Sequence, residues 1–199
     1  MPSAAVVSCH LERPLDDAAW RRFDAIRRSR PGGFDIVALI RPPDPAFGEN
    51  EERWLERART LEHLGLHTHW TSPTHARPTG GDPAQRVRAE AAWLHERGLT
   101  PRWFCGGGWY SDDAVREAVR EVGLIDCTER GGAPRPGVLP TTHSLGQLAR
   151  AVLGPLPEYV HAYFHDYDLL EVQRRIALVT SLTVLGRRSQ RADALALAQ

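Results

Sequence analysis

The 199-residue chain is 42% hydrophobic and 25% charged, long enough to bury one sizeable core and short for two, so a single domain over 1-199 is expected, with its core from about 4 to 185. Its charge balances at +0 without a block of like sign, which argues against nucleic-acid or anionic-membrane partners, and its 25 basic residues are all Arg, which excludes lysine-nucleophile and Schiff-base chemistry. Cys9, Cys105 and Cys127 form no C-x-x-C pair, there is no basic leader, and no apolar run approaches about eighteen residues, so a reducing, cytoplasmic setting is expected.

Ala4 to Cys9 reads as a short buried strand that delivers His10 and Glu12 at its C-terminal end. Asp16 or Asp17 then caps a helix carrying Ala19, Phe23 and Ile26. A second strand, Phe34 to Ile40, precedes a Pro-rich loop and a helix from about Asn50 to His63. The strand after Gly65 carries His67 and His69, with His75 in the following turn: three histidines in nine residues. A helix with Val87, Ala91 and Leu94 leads to the strand Arg102 to Cys105, which ends in Gly106-Gly107-Gly108-Trp109-Tyr110. Asp112 or Asp113 caps the next helix. Leu124 to Thr128 and Val138 to His143 are two further strand candidates, a helix covers Leu145 to Leu153, Tyr159 to His165 is the last strand, and the final helix spans about Leu170 to Leu185.

Seven short apolar strands, most of them followed by helices, predict a parallel sheet. A full eight-unit barrel takes about 250 residues, so the expected fold is α/β, a short, distorted (β/α)7 barrel. Chemistry in such barrels sits at the C-terminal strand ends, where His10, Glu12, His67, His69, Gly106 to Trp109, His143 and His165 all fall.

Residues two apart on a strand share a face, so His67 and His69 point the same way, and so do His10 and Glu12. Imidazoles plus a carboxylate suit a catalytic metal centre, although Glu12 could instead pair with Arg13 or Arg41 at the surface. His165-Asp166-Tyr167-Asp168 reads as a carboxylate-held acid–base histidine, as a helix cap, or as both. Gly106 to Gly108 could present backbone N–H groups to an oxyanion or serve as a structural turn, and Trp109 and Tyr110 could stack on a sugar or pack the barrel mouth. Cys105 is read as a small buried thiol rather than a nucleophile.

In order and placement these pieces resemble the polysaccharide deacetylase family (NodB homology, carbohydrate esterase family four) over roughly Ala4 to Leu185. That family has a distorted (β/α)7 barrel and removes acetyl groups from sugars with a divalent metal, commonly zinc. Where its first motif has an Asp-Asp pair, this chain reads Cys9-His10-Leu11-Glu12-Arg13-Pro14, so the resemblance implies His10 as base and Glu12 as metal ligand. Where the family has H-[ST]-x-x-H, the chain has His67-Thr68 followed by His69 and His75 as competitors for the second histidine. The Arg of its third motif is lost at Phe104 to Tyr110 unless Arg102 substitutes, and its Leu-His motif matches Phe164-His165, which implies His165 as general acid. The expectation is a Zn2+-dependent hydrolase that takes an acetyl or acyl group off a small sugar-like or biosynthetic substrate. A metal-free lyase or hydrolase and an inactive carbohydrate-binding protein are the alternatives.

Overall fold

The computed structural model describes residues 3–198. Fifteen elements follow one another as β1 (Ser3–Leu11), α1 (Asp17–Ser29), β2 (Ile36–Ile40), α2 (Glu51–Ala58), β3 (Leu64–Thr68), α3 (Pro83–Glu96), β4 (Trp103–Gly106), α4 (Asp113–Glu121), β5 (Ile125–Asp126), β6 (His143–Ser144), α5 (Leu145–Ala151), β7 (Tyr159–His165), α6 (Val172–Arg188), β8 (Ser189–Arg191) and α7 (Ala194–Leu197). All strand pairs are parallel, in the order β5-β4-β3-β2-β1-β7-β6, so the chain forms a seven-stranded α/β half-barrel that joins at β7–β1 and opens between β5 and β6. Two isolated bridges, Asp126 to Val138 and Arg130 to Thr141, span that opening.

The period of two along β1 divides the residues between two environments. Ala5, Val7, Cys9 and Leu11 pack outward with Phe23 and Ile26 of α1 in the core between sheet and helices. Val6 belongs to a second cluster inside the barrel, with Val37, Leu39, Trp103, Cys105 and Leu139. Full burial of Phe23 contributes about 1.5–3 kcal/mol. Asp16 caps α1 by accepting from Ala18 and Ala19 N–H, and Asp112 caps α4 through Val115 N–H.

Four details differ from the sequence expectation. Helix α2 stops at Ala58, not His63, because Thr60 Oγ1 takes the Arg57 carbonyl and Leu61 turns into the core. The expected strand over 138–143 shrinks to His143–Ser144, since Pro140 has no N–H to give a ladder and its carbonyl is taken by the Tyr159 hydroxyl. The strand over 124–128 is reduced to Ile125–Asp126. Finally, β8 and α7 form beyond the last expected helix, with β8 pairing Ser3–Ala5 and Ala192, Ala194 and Leu195 packing against the cluster inside the barrel.

Candidate metal and acid–base site

Strand register alone collects the site. His10 on β1 lies level with His165 on the adjoining β7, and His67 on β3 lies level with Cys105 on β4. Two residues beyond His10, Glu12 leaves β1 with its loop pinned: Asp166 accepts Arg13 N–H at 2.7 Å, and Arg41 Nε donates to the Glu12 carbonyl at 3.2 Å. Arg41 spends its guanidinium on Glu49 at 2.5 Å, and Arg13 lies over the Tyr167 ring, so neither takes the Glu12 carboxylate in a surface pair.

Three imidazoles surround that carboxylate. Glu12 Oε1 is 3.6 Å from His165 Nε2, 3.7 Å from His67 Nε2 and 4.0 Å from His69 Nε2. These separations exceed hydrogen-bond length, so the contacts are electrostatic. The opposite ring nitrogens are engaged: His67 Nδ1 lies 2.9 Å from the Cys105 carbonyl and His69 Nδ1 3.0 Å from the Pro73 carbonyl. Each therefore donates from Nδ1–H and turns Nε2 toward the carboxylate, the arrangement by which a metal-binding histidine is oriented. Both Nε2 atoms are buried without a hydrogen-bond partner.

Burial alone would raise the Glu12 carboxyl, but the surrounding imidazoles, His67 first, outweigh it and hold the group below its usual value. Burial, reinforced by His67, lowers His69 to about 4, and burial with the charges of His67 and His165 pushes His10 well below its ordinary value. His69 and His10 are thus neutral at pH 7. Glu12, His67 and His69 offer donor atoms all within 4.8 Å of one another. A carboxylate and two imidazoles, each held by a backbone carbonyl at Nδ1 and with its Nε2 orphaned, fit a divalent ion such as zinc.

His10 forms the floor, 2% exposed, with its ring 4.7 Å from His67, 5.0 Å from His165, 5.3 Å from Trp109 and 5.5 Å from Tyr163. His165 is more open, its side chain 20% exposed, and stacks on Tyr167 at 4.8 Å. Its Nδ1 is 3.6 Å from Asp168 Oδ2, and Asp168 is fixed by His165 N–H and by Arg174. A cleft of about 470 Å3 opens beside it, lined by Ser144, Tyr163, His165, Tyr167, Asp168 and Arg174.

Other residues are placed elsewhere. His75 sits exposed on the turn it closes with Ser72, outside the cluster. Gly106 N–H is spent on Thr128 Oγ1, and a Cβ on Gly107 would meet the Thr68 carbonyl at 2.6 Å and the His69 ring at 3.0 Å, so glycine at 107 lets the chain leaving β4 pass close to His69. Gly108 and Trp109 both take positive φ, a strained turn for Trp109 that lays its ring 4.8 Å from Tyr163. Tyr110 turns away, its hydroxyl donating to Asp112 and its ring edge-on to Trp70. Arg102 is exposed at the start of β4, at the opposite end of the barrel from the cluster, and so does not replace the missing motif arginine. Sequence reading missed Tyr163, Tyr167 and Arg174. The signal for Tyr163 was present, since Tyr159, His161, Tyr163 and His165 alternate along β7 and share the interior face.

No family model matches the chain, and no curated protein does. Solved structures do. A CE4 family pseudoenzyme from Bacillus anthracis is similar at TM-score 0.60 with 13% identity over 96% of this chain, which spans 63% of that protein's length. A family 4 carbohydrate esterase from Streptomyces lividans, solved with acetate, is similar at 0.52 with 12% identity over 98% of this chain and 93% of its own. Tryptophan synthase from M. tuberculosis reaches 0.51 at 12% identity over 96% of this chain and 94% of its own. At such identities the likeness is one of architecture: the chain has an α/β half-barrel fold like that of the CE4 structures.

Proposed function

We propose that this chain is a metal-dependent hydrolase that removes an acetyl or similar acyl group from the amine or hydroxyl of a small sugar-like substrate. The observation that carries this reading is Glu12 ringed by His67, His69 and His165 at 3.6 to 4.0 Å, beside a cleft. Glu12, His67 and His69 would hold the ion, with His75 left out of the set. A divalent metal there supplies polarisation of the acyl carbonyl and acidification of water.

The protein's own groups do the rest. His10, neutral at pH 7 and with Nε2 unengaged, accepts the proton released when water attacks. His165, oriented by Asp168 and open to the cleft, gives a proton to the departing amine. Tyr163 and Tyr167 supply aromatic rings to the cleft for a sugar, and Arg174, held by Asp168, lines it too. The likeness to an esterase crystallised with acetate supports this reading at the level of fold.

The test is acetate release from a panel of N-acetylated amino sugars by zinc-loaded protein, before and after chelation. Metal-dependent release that is lost in Glu12→Ala and kept in His75→Ala supports the proposal. Release that survives chelation favours metal-free chemistry. Sugar binding without release by the loaded protein favours an inactive carbohydrate-binding protein.

A further inference from the structure

Among the described residues, three buried imidazole nitrogens lack a hydrogen-bond partner: His10 Nε2, His67 Nε2 and His69 Nε2. The proposed centre with Glu12 uses two of them and leaves His10 over. A second set of side chains closes around that remainder, for His10, His67 and Cys105, each no more than 2% exposed, offer donor atoms within 4.8 Å of one another. They come from three strands of the barrel interior, β1, β3 and β4, and the backbones of His67 and Cys105 are directly paired. Among the described residues, Cys105 is the one cysteine in such a group.

We propose that His10, His67 and Cys105 form a second, inner seat for a thiophilic metal ion such as Cd2+, Cu+ or Zn2+. Because His67 Nδ1 is held by the Cys105 carbonyl, only its Nε2 can bind a metal, and the outer seat uses the same atom. One chain therefore takes one ion, in one seat or the other. The outer seat, with a carboxylate and two imidazoles, favours harder ions, and the inner seat, with a sulfur and two imidazoles, favours softer ones. On binding, a sulfur–metal bond forms and the thiol proton leaves to solvent, with no change of oxidation state. An ion in the inner seat occupies His10 and takes His67 from the outer ligands, so it excludes the outer ion. This holds whatever reaction the outer site performs.

Cadmium alone tests it, with no substrate. The expected result is one Cd2+ per chain, a near-ultraviolet thiolate-to-metal absorption, and a cadmium NMR resonance displaced downfield as one sulfur ligand requires. Cys105→Ser should lose the absorption, while Cys9→Ser and Cys127→Ser keep it, each variant being checked for native circular dichroism. Failure to bind cadmium, bound cadmium without the absorption, or an absorption that survives Cys105→Ser would overturn the proposal. If Cys105→Ser does not fold, the cadmium resonance of the unaltered protein decides.

Discussion

His10 and His165 lie level on adjoining strands, yet their surroundings separate their tasks. His10 is sealed among aromatic and imidazole rings with its pKa driven down, whereas His165 borders the cleft with a carboxylate 3.6 Å from Nδ1. An acid is needed where the leaving group is a poor one, and a base is needed for any attack by water. His165→Ala should therefore slow hydrolysis of an unactivated amide by roughly 100-fold or more, at the low end of the range for general acid catalysis, and an activated ester far less. His10→Ala should slow both alike. Equal losses for ester and amide in a folded, metallated His165→Ala protein would remove it as the acid. Which of His69 and His75 joins His67 was not decidable from sequence, because both follow it at plausible spacings. The structure separates them: His69 continues the face of β3 inward, and His75 is held out on a turn by its own hydrogen bonds to Ser72.

At the scale of elements, β7 shows what alternation along a strand encodes. Its inward positions run Tyr159, His161, Tyr163, His165, from the barrel floor to the site. His161 is fully buried, its Nε2 2.9 Å from Ser8 Oγ on β1 and its Nδ1 3.2 Å from the Leu139 carbonyl, and burial lowers its pKa to about 4. The unfolded chain carries this histidine near its ordinary 6.5, so the lowered native value gives stability that is complete above pH 6.5 and is lost as pH falls toward 4. Over that window the loss is on the order of 2–3 kcal/mol. Buried Asp166, raised to about 6, works the other way as it protonates, so the His161 contribution must be isolated. The difference in unfolding free energy between the native protein and His161→Gln, measured by denaturant titration, should shift against the native protein by that amount from pH 7 to pH 4. A difference independent of pH would show that the histidine is not held neutral by the fold. Elements with strong apolar periodicity were legible in the sequence, as in α1, α3 and α4. β8 was not, because Ser189, Gln190 and Arg191 carry no apolar signal and pair only because β1 leaves an edge beside Ser3–Ala5.

For the whole molecule, seven parallel strands were expected and a seven-stranded half-barrel is found, closed at β7–β1 and split between β5 and β6. The count was legible because most of the strands sit in short apolar runs, β1, β2, β4 and β7 most clearly. The position of the split was not, since it comes from Pro140 and from the shortness of β5 and β6, which only the assembled sheet reveals. Among the described residues no helix is long and apolar enough to cross a membrane. The strand ends converge on one carboxylate and its imidazoles, and His67 belongs to both proposed metal seats while His75 belongs to neither. The metal content of zinc-equilibrated protein, measured by elemental analysis beside His67→Ala and His75→Ala, tests that convergence most directly. The unaltered protein and His75→Ala should each retain close to one ion per chain and folded His67→Ala none, whereas a full ion in His67→Ala or its loss in His75→Ala would contradict the site.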